Sequence, residues 1–235
     1  MESLSNPLQA CKNIVLKPNG VFAKIKVTDN WSWVPFFLVT GATFLSLYSY
    51  LNVVDMSWLI ESMLQLIAKD VSPAEIKAMR DGMEQGNILL FSLSFGMMFK
   101  IVLFNAFMAA YLNICSKVDE ECVQGYTDWF GFCWWTSLPL VAVSLISCIV
   151  IWLSQSPNLS QVVLEPTSLA YIFSVDLRSP WFGLFESLKL EYIWIIYLTT
   201  VGLSQWTNLA KNKIFRIAIG PYVLVWGLWF ALLLF

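Results

Sequence analysis

Hydrophobic positions gather into five long runs, Val34–Val54, Ile88–Cys115, Trp129–Leu153, Tyr192–Trp206 and Ile217–Phe235, and nearly all the charge falls between them. A bilayer's hydrocarbon core is about 30 Å thick, so roughly 20 apolar residues cross it as a helix. Four runs meet that length unaided. The fourth reaches it only if its helix begins further back, near residue 184. The pattern predicts an all-α polytopic membrane protein of five transmembrane helices plus short amphipathic interfacial helices. Its spans are about 34–54, 88–115, 129–153, 184–206 and 217–235, in one membrane domain over 1–235 whose residues 1–33 form a cytoplasmic amphipathic tail.

The intervals carry patterns of their own. In the tail, Leu4, Leu8, Cys11 and Val15 recur at helical spacing. Pro18–Gly20 breaks the run, and Phe22 and Ile25 follow, interleaved with Lys24 and Lys26. Two compatible readings stand: a segment lying in the interface with its lysines at anionic headgroups, and a helix packed on the cytoplasmic ends of the spans. In the first outer segment, Trp58, Leu59, Met63, Leu66 and Ile67 form an apolar face. Ser72-Pro73-Ala74-Glu75 then spells a capping box with proline at the first helical position, and Gly82 or Gly86 closes that helix. In the second, Ser156-Pro157-Asn158 and Glu165-Pro166-Thr167 read as turns. Ser168–Val175 reads as an interfacial or re-entrant piece, and Ser179-Pro180 as the start of the fourth helix.

Composition narrows the function classes. The chain is 58% hydrophobic and only 13% charged, against about 25% charged in soluble domains. A net charge of −2 and the lack of a basic tract with interleaved aromatics argue against nucleic acid. With no histidine, imidazole acid–base chemistry, Ser–His or Cys–His pairs and the commonest ligand for metals are all missing. Cys11, Cys115, Cys122, Cys133 and Cys148 contain no CxxC pair and read as packing thiols. No cofactor is expected. The first 33 residues lack the apolar core of a cleavable signal, so the first span is expected to direct insertion. With the N-terminus inside, the inner segments hold Lys12, Lys17, Lys24, Lys26, Lys117, Lys211, Lys213 and Arg216. The outer segments hold Lys69, Lys77, Arg80, Arg178 and Lys189, and eight against five favours N-terminus in and C-terminus out.

The charges at membrane depth are the candidate chemistry. Lys100 sits near the middle of the second run, where a lysine costs about 2.5–3.5 kcal/mol on insertion scales. Either the run slides until Lys100 snorkels outward, or Lys100 pairs with Glu191 or Glu186 of the fourth helix. The candidate intramembrane polar site is therefore Lys100, Glu186 and Glu191, with no catalytic, cofactor-binding or metal residue assigned. Pro139 and Gly220-Pro221 predict kinks or breaks in the third and fifth spans. Thr40, Thr43, Ser46, Ser49, Ser92, Ser94, Asn105, Thr199 and Thr200 are expected to bond across helices. The tryptophans, among them Trp31, Trp33, Trp129, Trp134, Trp135, Trp152, Trp206, Trp226 and Trp229, read as aromatic belts.

Three places resemble the Yip1 family of five-span membrane proteins. They are Asn6-Pro7 with Ile14, Pro18, Phe22 and Ile25; Ser137-Leu138-Pro139; and Trp194 through Gly202-Leu203 into Ala210-Lys211. Where the family often has an acidic-x-Phe element before the tryptophan, this chain has Lys189-Leu190-Glu191. Eukaryotic relatives, with their Rab-GTPase partners and ER–Golgi traffic, carry a long cytosolic region with an Asp-Leu-Tyr-Gly-Pro element that is not found here. The compact tail resembles the bacterial, inner-membrane branch. The resemblance implies a non-enzymatic protein that organises the membrane or binds a partner. Its partners would be the lipid bilayer and other membrane proteins or a second copy of itself. The alternative is a small transporter or channel for an ion, lipid or small solute that uses Lys100 and Glu191.

Overall fold

A computed structural model describes residues 5–67, 71–84 and 88–234. Leu4, Lys69, Gly86, Phe235 and the side chain of Ile67, which entered the expectations above, lie outside the described residues. The helices in chain order are α1 (Pro7–Leu16), α2 (Pro18–Ile25), α3 (Trp33–Val53), α4 (Met56–Ile67), α5 (Pro73–Glu84), α6 (Ile88–Ser116), α7 (Tyr126–Thr136), α8 (Pro139–Leu153), α9 (Leu169–Ile172), α10 (Phe182–Ser187), α11 (Glu191–Trp206) and α12 (Lys211–Leu234). A 3-10 turn, Gln161–Leu164, precedes α9. The protein is 77% helical with no strand among the described residues, which is the expected all-α class.

Among the described residues, four helical stretches are long and apolar enough to cross a bilayer: Trp33–Val53, Ile88–Ser116, Tyr126–Leu153 and Lys211–Leu234. The fourth expected span differs. Instead of one helix over 184–206, α10 ends at Ser187 and α11 starts at Glu191. At 16 residues α11 is about 24 Å long, short of the hydrocarbon thickness. The break has a local cause. Leu188 accepts the Leu169 N–H at 2.8 Å, and Lys189 pairs with Ser168 as an isolated antiparallel bridge. Backbone groups there are thus satisfied outside a helix.

The chain divides into two compact units. The first comprises residues 1–41, 101–141 and 190–235; the second comprises 42–100 and 142–189. In the first, the buried core joins Ala10, Ile14, Val21, Phe22 and Ile25 of the tail to Met108, Leu112, Trp129, Phe132, Leu198, Leu203 and Trp206. Asn6 starts α1 by accepting the Gln9 N–H at 2.8 Å, with Pro7 in the first turn. The tail's docked face differs from the Leu8–Cys11–Val15 series that the spacing picked out. Ala10 and Ile14 are buried, while Leu8 and Val15 are 58% and 55% exposed. The tryptophans also part company. Trp33 and Trp152 are exposed as belts require, but Trp129, Trp134, Trp135 and Trp206 are core residues.

In the second unit the core is Leu47, Tyr50, Val54, Leu59, Ile60, Leu64, Leu89, Ile151, Leu159 and Val163. The irregular segment after α8 is held by its carbonyls: Tyr50 donates to Leu159 O at 2.8 Å, Ser147 to Val163 O at 2.9 Å, and the Asp55 N–H to Pro157 O at 2.9 Å. The capping box forms as expected, with Glu75 accepting the Ser72 N–H at 3.0 Å and Ser72 Oγ accepting the Glu75 N–H at 3.4 Å. Glu61 of α4 pairs with Arg80 of α5.

Both prolines act on the backbone, in different ways. Pro139 opens α8 after a break at Ser137-Leu138. There the Cys133 carbonyl accepts from Ser137 Oγ at 2.8 Å and Thr136 Oγ1 at 3.0 Å. Pro221 lies inside an unbroken α12 and leaves the carbonyl four residues back, that of Ile217, without its helical donor. Tyr111 of α6 fills the gap, its hydroxyl donating to Ile217 O at 3.1 Å. Most span hydroxyls bond within their own helix, as Thr40 does to Phe36 O and Thr199 to Ile195 O, both at 2.8 Å. Across helices, besides Tyr111, Ser137 donates to Asn105 at 3.1 Å and Ser49 meets Cys148 at 3.8 Å.

Two outcomes follow. Tyr111→Phe leaves a carbonyl stranded in an apolar setting and should lower stability by about 1–3 kcal/mol, read as the unfolding midpoint in detergent. For α5, the Ser72 hydrogen bonds hold the Glu75 carboxyl below its ordinary 4.5, and the Arg80 hydrogen bond and charge do the same for Glu61. Depressed carboxylates contribute stability above their unfolded values and lose it as pH falls through the folded ones. Amide exchange over 73–84, corrected for intrinsic rate, should therefore rise below the ordinary carboxylate value, and rise less in a Glu75→Gln variant.

Candidate functional site

The first unit contains a seat for the N-terminal tail, built around a glycine. A Cβ placed on Gly202 would lie 2.3 Å from the Phe132 ring and 2.9 Å from the Phe22 ring. Both rings are fully buried, at 1% and 0% exposure, and cannot swing aside. The absent side chain is what lets Phe22 and Phe132 meet at 5.1 Å between centroids. Trp206 completes the cluster at 4.9 Å from Phe132 and 5.0 Å from Trp129. Such pairs add about 0.5–1.5 kcal/mol each beyond their burial.

Polar contacts fix the tail's register on this surface. Trp206 Nε1 donates to the Phe22 carbonyl at 2.9 Å. The Lys26 ammonium reaches the carbonyls of Gln205 and Trp206 at 3.4 and 3.2 Å, at the negative end of α11's dipole. Gln205 Nε2 donates to Asn19 Oδ1 at 3.1 Å. Burial pushes the Cys11 thiol up to about 11, so it stays protonated at neutral pH and behaves as a half-buried apolar group.

The loops of this unit meet as well. Asp119 Oδ2 accepts the Asn208 N–H at 2.7 Å, and Glu121 Oε2 accepts from Asn208 Nδ2 at 2.6 Å. The segments around 116–125 and 207–210, which the charge count grouped with the tail, thus lie together in the unit that holds it.

The second unit holds the polar cluster. Lys189 Nζ lies 2.7 Å from Glu165 Oε1, and its side chain is only 8% exposed. Lys100 Nζ lies 3.9 Å from the same oxygen with its side chain 72% exposed. Two cations therefore share one carboxylate, and the outer of the two is the lysine that the sequence singled out. Of the three predicted residues, Lys100 is in this cluster, Glu186 is half-buried on α10, and Glu191 is buried as the first residue of α11 in the other unit. Lys100's carboxylate contact is with Glu165, whose Glu165-Pro166-Thr167 setting in the sequence is that of a turn. The one signal available was a lone acid before proline in an apolar stretch. No group of three or more His, Cys, Asp or Glu that could hold a metal occurs among the described residues.

The Yip1 domain profile matches residues 12–234, from the middle of α1 to the end of α12. No curated protein and no solved structure matches the chain. The match begins inside the tail, so Phe22 and Gly202 both lie within it.

Gly202→Ala should lower stability by about 1–3 kcal/mol and release the tail, seen as faster amide exchange over residues 18–25. An alanine variant with wild-type stability and exchange would show that the aromatic seat is loose.

Proposed function

The chain belongs to the Yip1 family, and on that premise we propose a non-enzymatic multi-pass protein of the inner membrane that organises the bilayer or holds a membrane partner. The N-terminus lies in the cytoplasm and the C-terminus outside, with the short α11 completing the fifth crossing. One observation carries the reading. Beyond Tyr222, α12 exposes Val223, Leu224, Val225, Leu228, Leu232 and Leu234, each by more than half. α6 and α12 bury only 11% and 17% of their most apolar stretches. A helix apolar on all sides with so little of itself packed needs lipid or another apolar helix around it. A chain without histidine, in which Trp129, Phe132, Cys133, Trp135 and Trp206 go into the packed core, supports binding over catalysis.

A second reading, a small transporter or channel, is favoured by Lys100. Its exposed ammonium shares Glu165 with Lys189, which leaves the trio with an excess positive charge at a place where a permeating anion or headgroup would feel it. Reconstitution of the pure protein in liposomes separates the two. The scaffold reading expects ion and lipid flux equal to that of empty liposomes. It also expects a photo-crosslinker at Leu228 to capture, in native membranes, a defined protein or a second copy. Flux above background that Lys100→Ala abolishes would establish transport; lipid adducts alone at Leu228 would remove the partner.

A further inference from the structure

The docked tail has a second apolar face, and nothing within its own unit requires it. Ala10 and Ile14 seat α1 in the core; at 3.6 residues per turn, Leu8 and Val15 lie roughly 130° away around the helix. Both are more than half exposed, and Leu16 at the end of α1 is 80% exposed. A helix lying on a protein surface in water normally turns charge outward. This one turns out leucine and valine, with Lys12 beside them and Lys17 directly after.

Charge names the occupant. From Ser5 to Thr28 the chain carries Lys12, Lys17, Lys24 and Lys26 and no aspartate or glutamate. Lys26 is committed to the end of α11. Lys24 lies over the Trp31 ring at 5.9 Å, and Lys12 and Lys17 are exposed. Of the three acids in the neighbouring loop, Asp119 and Glu121 are engaged by Asn208, and Glu120 is exposed.

Depth agrees with charge. The tail is bonded to the last residues of α11 and leads within a few residues into Trp33, the start of a candidate span. It therefore sits at the level where apolar helices end, the zone of lipid headgroups and of exposed tryptophans such as Trp33. We propose that the outward face of α1, with Lys12, Lys17 and Lys24, is a docking surface for anionic lipid headgroups of the bilayer that the protein itself spans. Leu8, Val15 and Leu16 enter the acyl boundary while the three ammonium groups meet phosphates. The inference is independent of the scaffold and transport readings, since it needs neither a protein partner nor flux.

The test uses the full chain reconstituted in vesicles of phosphatidylcholine alone or with about one-third phosphatidylglycerol, read by hydrogen exchange of residues 7–25. At least about a fivefold slowing per engaged lysine is expected in the anionic vesicles. The slowing should vanish in high salt and in the Lys12→Gln/Lys17→Gln/Lys24→Gln variant. All three lysines are exposed, so the variant should fold, and unchanged exchange in the last turn of α11 verifies that the tail remains seated. Equal exchange in the two vesicles would overturn the proposal, leaving protein contacts as the tail's sole anchor. Slowing that survives both salt and the triple substitution would also overturn it, pointing to a neutral occupant.

Discussion

A backbone carbonyl inside a bilayer has no water to turn to, and that constraint organises the irregular parts of this protein. Regular helices satisfy it by themselves, but the chain departs from regular helix at Pro139, at Pro221 and after Leu153. At Pro221 and after Leu153 a hydroxyl from another element supplies a donor: Tyr111 serves Ile217, and Tyr50 and Ser147 serve Leu159 and Val163. At Pro139 the arrangement is local, the Cys133 carbonyl keeping its Ser137 N–H at 3.0 Å and accepting from the Ser137 and Thr136 hydroxyls as well. The Ile217 carbonyl lies inside a candidate span, where a group left without a donor would be stranded in hydrocarbon. These bonds account for Tyr50, Tyr111 and Ser147, whereas most other span hydroxyls bond within their own helix.

The first unit adds a second constraint, close approach. Gly202 brings α11 onto Phe22 and Phe132 so tightly that any side chain would collide with buried rings. The tail is therefore part of the fold, with its own phenylalanine in the core and its backbone held by Trp206. Helices α1 and α2 consequently serve two surfaces. One is packed on the protein; the other carries apolar side chains and lysines outward.

The polar cluster shows how a tertiary contact reassigns a charge. Lys100 was legible as an anomaly because one cation in a 29-residue apolar helix stands out in any reading. Its partner was not legible, since Glu165 lies 65 positions away in a segment without periodicity. The residues that place Glu165 are backbone pairings between 168–169 and 188–189, which leave no signature in composition. The same pairing interrupts the helix expected over 184–206, and apolar content alone could not reveal it.

Hydrophobic length and charge spacing by themselves determined the class, four of the long helices, the tail's helical character and the Ser72 cap. Each depends on local periodicity or on a bilayer thickness common to all membranes. The prolines, too, announced where a helix would lose a donor. Only the tertiary structure decided which hydroxyl answers Pro221, which face of α1 is buried, which tryptophans are core and which carboxylate meets Lys100. Those outcomes depend on which residues distant in the chain come within a few ångströms, and burial in an apolar chain gives nearly every aliphatic face the same driving force. Shape complementarity, as at Gly202, then selects among faces that hydrophobicity cannot rank.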